Sequence, residues 1–129
     1  MSVYLNDDPG TGAIAGWFMA NNADARGIFD SWLEQLKDLG LRKNTMDAYF
    51  SSEDGVIDAL GIPAITTIQD YTNYDVRLHH TNADFFEAVS EKDLQQSAQV
   101  LAIFAYQASV RDRQIPRRPE GVPANPARR

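Results

Sequence analysis

A chain of 129 residues with 43% hydrophobic and 23% charged residues is sized for one domain with a real core. Its formal charge of −6 is unevenly placed: residues 111–129 hold six arginines against two acids, so the first 110 residues hold a net −10, and an acidic body argues against nucleic acid as the main partner. Cysteine is absent, which excludes disulfides and thiolate chemistry; no apolar run approaches the ~20 residues that cross a bilayer, and "MSVYLNDDPG" lacks the basic and apolar regions of a signal peptide, which leaves the compartment open.

In chain order, "SVYLND" alternates apolar and polar residues at Val3 and Leu5 and predicts a short strand, ended by the turn chemistry of "DDPGTG". "AIAGWFMA" predicts a second strand, paired with the first as a hairpin. From about Asn22 to Leu39 the spacing of Ile28, Trp32, Leu33, Leu36 and Leu39 predicts a helix, with Asn22 as N-cap and Gly40 as stop. "KNTMDAYF" predicts a third strand and "VIDAL" a helical turn ended by Gly61 and Pro63. "AITTIQ", rich in β-branched residues, predicts a buried fourth strand. A loop spans 70–84, and a last helix runs from about Ser90 to Val110. Its cap is Ser90 with Asp93, and its expected buried stripe is Leu94, Ala98, Leu101, Ala105 and Ala108. "RDRQIPRRPEGVPANPARR" reads as an extended Pro/Arg-rich arm that lies on the acidic body or stays disordered, docking being the simpler assumption. The element order defines an α/β fold, a sheet flanked by helices.

In α/β sheets, ligands gather beyond the carboxyl ends of strands. Asp7 and Asp8 follow the first predicted strand, Glu53 and Asp54 the third, and the fourth leads into "VRLHHTNADFF", which holds the chain's two histidines, His79 and His80. Imidazole and carboxylate suit zinc where no thiolate is available. Adjacent histidines in an extended loop point apart, so one is the candidate ligand and the other a hydrogen-bond donor or a packing group. Asp84 is placed to orient the imidazole. No Gly-rich phosphate loop and no G-x-S-x-G elbow occurs, and Ser51 and Ser52 have no evident base.

Three stretches carry a family resemblance: "SVYLNDDPGTGAIAGWF", "DALGIPAITTIQDYTNYDVRLHHTNAD" and "DLQQSAQVLAIFAYQASVRDRQIPRRP". Together they resemble the C-terminal part of the di-zinc metallopeptidases that include bacterial leucyl aminopeptidase and plasma glutamate carboxypeptidase. The resemblance runs from about Ser2 to Pro119, and its most telling piece is the order G-I-P, I-Q-D, Y-D and H-H-T-N-x-D. It implies a fragment of a three-layer α/β/α sandwich with a mixed sheet, residues 1–112 being the C-terminal portion of the catalytic domain and 113–129 the tail. It implies two zinc ions in the complete site and a terminal peptide bond as substrate. Asp8, in the N-x-D-x-G-T-G pattern, then resembles a carboxylate ligand of one zinc. His80, in H-T-x-x-D, resembles the imidazole ligand of the other, with Asp84 behind it. His79 stands where some relatives place a group that polarises the scissile carbonyl; a structural role is the equal alternative.

The departures are equally specific. Relatives carry Gly-Ser/Thr-Asp-His where this chain has Ser51, Ser52, Glu53 and Asp54, so an acid persists at Glu53 but the histidine is replaced by Asp54. The family's first histidine ligand, bridging aspartate and glutamate pair lie upstream of the Asp8 segment. Each zinc would therefore keep one ligand here, against the three protein ligands of a catalytic zinc, and this chain alone is expected to be inactive. Two further readings stand beside the exopeptidase. One is a non-catalytic paralogue that binds a partner, dimerises or joins a missing N-terminal half through an unpaired sheet edge. The other is a single-metal protein using His79, His80 and Asp84 with Asp8. Relatives are often exported, which does not fix this chain's compartment.

Overall fold

The computed structural model describes residues 1–50, 53–69 and 74–124. The fold is α/β: a three-stranded mixed sheet flanked by helices. Strands β1 (Tyr4–Asn6), β2 (Ile14–Phe18) and β3 (Ala64–Gln69) lie in the order β1-β3-β2. Helices α1 (Ala23–Glu34), α2 (Glu53–Ala59) and α3 (Glu91–Ser109) complete the regular elements. Among the described residues no helix is long and apolar enough to cross a membrane.

The expected hairpin of the first two strands does not form. The β-branched run Ile65–Ile68 takes the centre, with β1 parallel and β2 antiparallel to it. Almost every residue of β3 is buried, as a strand covered on both faces must be, and a three-residue β1 separated from β2 by a seven-residue turn gains more from that central ladder than from a hairpin. Register sorts the side chains. Leu5, Ile65, Thr67 and Trp17 share one face, and Tyr4, Asn6, Thr66 and Phe18 the other.

The first face carries the core. Trp17, Phe29 and Phe104 are fully buried and Trp32 nearly so. Phe104 meets Trp17, Phe29 and Trp32 at ring-centroid distances of 4.8, 5.4 and 5.5 Å. Burying each such side chain contributes ~1.5–3 kcal/mol, and tilted or edge contacts add to it. This cluster overrides the stripe expected for α3. The helix turns Ser97, Val100 and Phe104 inward, keeps Leu101 and Ala108 at the margin, and leaves Leu94, Ala98 and Ala105 exposed, because Phe104 has the most apolar surface to bury. The cap is as expected: the Ser90 side chain accepts from the Asp93 N–H.

Helix α1 starts on Asn22, whose Oδ1 accepts from the Ala25 N–H, but ends at Glu34 rather than Leu39. A 3₁₀ turn, Lys37–Leu39, follows and stops at Gly40 with φ +92°. The "KNTMDAYF" stretch, predicted as a strand, forms only one bridge, Phe18 to Thr45, with Thr45 N–H donating to Trp17 O and Met19 N–H to Thr45 O. The "VIDAL" turn is the second half of α2, which begins at Glu53. Helix α2 lies on the second face of the sheet, where its Asp54 meets Asn6 and Thr66. The arginine-rich arm docks: Ile115 is buried, and Arg118 forks onto both oxygens of Asp58 at 2.8 and 2.7 Å. Residues 125–129 lie outside the described part, as do Ser51, Ser52 and Asp70, the last residue of the I-Q-D motif.

Candidate functional site

Because β1 and β3 are parallel, their carboxyl ends fall on one edge of the sheet. Asp7 and Asp8 leave β1 there, and the histidine segment comes after β3 in chain order. Asp8 is exposed. Asp7 is exposed as a residue, yet its carboxylate turns against β3, where the buried Thr67 Oγ1 donates to Oδ1 at 2.8 Å. Desolvation there raises the Asp7 carboxyl above its ordinary value, Thr67 opposes the shift, and the neighbouring charge of Asp8 adds to it. A carboxyl raised by folding contributes its stability below the ordinary carboxylate range and loses it as pH rises through the folded value. Asp7→Asn keeps an acceptor for Thr67 and removes the charge. We expect it to be more stable than the parent near pH 7 and equal to it below about pH 3.5; urea midpoints across that range test this, and a gap that widens in acid would refute it.

The histidine segment is not extended. Tyr74–Leu78 forms a single π-helical turn, closed by the His79 N–H on Tyr74 O at 2.8 Å. Such turns recur at functional sites. Thr81 Oγ1 donates to Leu78 O at 2.8 Å and accepts from the Ala83 N–H at 3.2 Å, fixing the reversal after it. His80 sits at φ +57°, the left-handed region that a non-glycine residue rarely enters. This conformation corrects the expectation that the adjacent histidines point apart: their rings lie 4.0 Å centroid to centroid, and His79 also packs on Tyr74 at 5.3 Å. The His79 Nδ1 is 3.8 Å from Asp75 Oδ1, an ion-pair distance if the imidazole is protonated and too long for a hydrogen bond.

Tyr74 feels the charge of both segments. Its phenol is raised above the ordinary value first by desolvation, then by the carboxylates of Asp84 and Asp8. Asp84, expected behind His80, is exposed and acts on Tyr74 together with Asp8. Tyr74 and Asp75 are the residues sequence reasoning missed. Their signal was the four- and five-residue spacing to His79, legible only once the segment is helical.

Glu53 is exposed in the first turn of α2. Asp54 does not sit in an open strand-end loop. It is fully buried, with Oδ2 accepting from Thr66 Oγ1 at 2.8 Å and from Asn6 Nδ2 at 3.4 Å, and Oδ1 accepting from the Gly55 N–H at 3.0 Å. The reason is local: the segment before β3 is helical, so the side chain is delivered to the sheet face.

The donor chemistry at this edge suits zinc, but among the described residues no group of three or more His, Cys, Asp or Glu could hold a metal ion. Asp8 and His80 are individual donors rather than a finished site. The chain matches no protein-family model, no curated protein and no solved structure.

Proposed function

We propose that this chain supplies part of a zinc-exopeptidase site, acting on a terminal peptide bond, with Asp8 and His80 as donors to two different ions and further donors needed to complete each set. The observation that supports the reading is the parallel pairing of β1 with β3, which puts the carboxyl ends of both strands on one edge of the sheet, with the charge of Asp8 reaching Tyr74 of the histidine turn. Bound zinc would supply Lewis acidity toward a peptide carbonyl. The chain's own residues bind and orient: with Nδ1 facing Asp75, His79 has Nε2 left for a substrate oxygen. Zinc added to the isotope-labelled chain should perturb the amides of Asp8 and of residues 79–84 saturably, and Asp8→Ala and His80→Ala should each remove the response at the substituted end. Zinc binding indifferent to both substitutions would sink the proposal.

A second reading, a partner-binding module, is favoured by the apolar residues flanking the histidines. Val76, Phe85 and Phe86 are 77%, 62% and 86% exposed, unusual for large hydrophobic side chains so close together in sequence. Under this reading Phe86→Ser leaves zinc perturbation unchanged and improves solubility; under the first, the zinc response still depends on Asp8 and His80.

A further inference from the structure

The ladder between β1 and β3 ends at the pair Asn6 and Thr66, two residues before Asp8. A three-residue edge strand frays easily beyond its last pair. Here two side-chain clamps extend it. On one face, Asp54 reaches from α2 and takes Thr66 Oγ1 and Asn6 Nδ2 on a single oxygen, so it straddles the last pair of the ladder. On the opposite face, Thr67 donates to Asp7, the next residue along. Thr66, Thr67 and Asp54 are 1%, 0% and 0% exposed, so the Asp54 clamp is shielded from bulk water and the Thr67 clamp is shielded on its donor side, Asp7 itself being exposed.

We propose that Asp54 and Thr67 are positioning residues for Asp8, gripping the end of β1 from opposite faces so that the Asp8 carboxylate is presented at the carboxyl edge of the sheet. The inference rests on the reading of Asp8 as the working carboxylate. It also accounts for an acid at 54 in place of the histidine that the resemblance would put there. Among the described residues, Thr66, Asn6 and the Gly55 N–H donate to this side chain. A carboxylate has acceptor sites for all three, whereas a neutral imidazole has one.

The test is backbone ¹⁵N relaxation on the full chain, comparing the parent with Asp54→Asn and Thr67→Val, and with Phe29→Leu, in the aromatic core and on a helix that carries neither clamp, as a destabilised control. Asp54→Asn keeps one acceptor oxygen and Thr67→Val keeps the volume, so failure to fold in one leaves the other informative. Asp8 should fall from the rigid range, order parameter about 0.85, to below about 0.6 in both clamp variants and stay rigid in the control. An Asp8 that stays ordered in both clamp variants, or loosens equally in the control, would overturn the proposal. Zinc alone, titrated into the same samples, should perturb Asp8 with roughly 10-fold weaker apparent affinity in the clamp variants. If Asp8 loosens as expected but the parent shows no zinc response there, the metal reading fails and the positioning role stands.

Discussion

Replacing Gly16 by alanine should cost about 3 kcal/mol or more and lower the melting temperature by roughly 10 °C or more. Gly16 lies in β2 beside the register irregularity that separates it from Ile14. A β-carbon there would stand 1.5 Å from the Lys43 carbonyl oxygen and 2.6 Å from its carbon. These are backbone atoms, so no rotamer change relieves the clash; a glycine inside a strand often marks such an approach by another backbone. To make room, the chain from 41 to 45 must move away, straining or breaking Arg42 N–H to Ala15 O, Thr45 N–H to Trp17 O and Met19 N–H to Thr45 O. Leu41, 1% exposed in the core, would move with it. Gly27→Ala is the internal control. Gly27 sits in α1 with no atom within 4 Å of a built β-carbon, so alanine there should stabilise by about 0.5–1 kcal/mol. Urea unfolding of both variants decides it, and a Gly16→Ala loss below about 1 kcal/mol would mean that the 41–45 segment yields without consequence.

The pattern of legible and illegible features follows one physical line. Elements whose signals are local were readable: the Asn22 and Ser90 caps, the Gly40 stop and the β-branched run of β3 each depend on residues within a few positions. Strand order was not, because it is settled by which strand can be covered on both faces, a property of the whole sheet. The α3 stripe went wrong where alanines and leucines at helical spacing lost to one phenylalanine that completes an aromatic cluster with Trp17, Phe29 and Trp32. At the candidate site, the place of Asp8 beyond the end of β1 was legible from the order of elements. The tilted ring contact of His79 with His80 was not, since it arises from one left-handed residue and a π-helical turn. Asp54 marks the boundary between the two kinds of feature. Its acidity was visible, but its burial required knowing that α2 carries it onto the sheet.

Arg118→Ala should be the most damaging substitution outside the core, at about 3 kcal/mol, because one guanidinium ties three parts of the fold together. It donates twice to Asp58 on α2, to Ala20 O at the turn after β2, and through Nε to Val122 O within the arm itself. The two charged side chains are only 18% and 13% exposed, so screening by solvent is weak and the bidentate geometry is retained. Removing the arginine leaves Asp58 largely buried without its counter-charge, which is the costly half of breaking such a pair. Asp58→Ala in the Arg118→Ala background should therefore recover part of the loss, and the double variant should be less destabilised than the two single losses added together. The arm should respond in parallel. Ile115, 2% exposed in the parent, becomes accessible when the anchor is gone, and trypsin cleavage at Arg111, Arg113 and Arg117 should accelerate in proportion to the opened population. The acidic body alone would hold a basic arm loosely and lose it in salt, whereas an arm held by this fork and by Ile115 should keep its protease resistance when the salt concentration is raised. Salt-induced release in the parent protein would show that net charge, rather than the Arg118 fork, holds the arm in place.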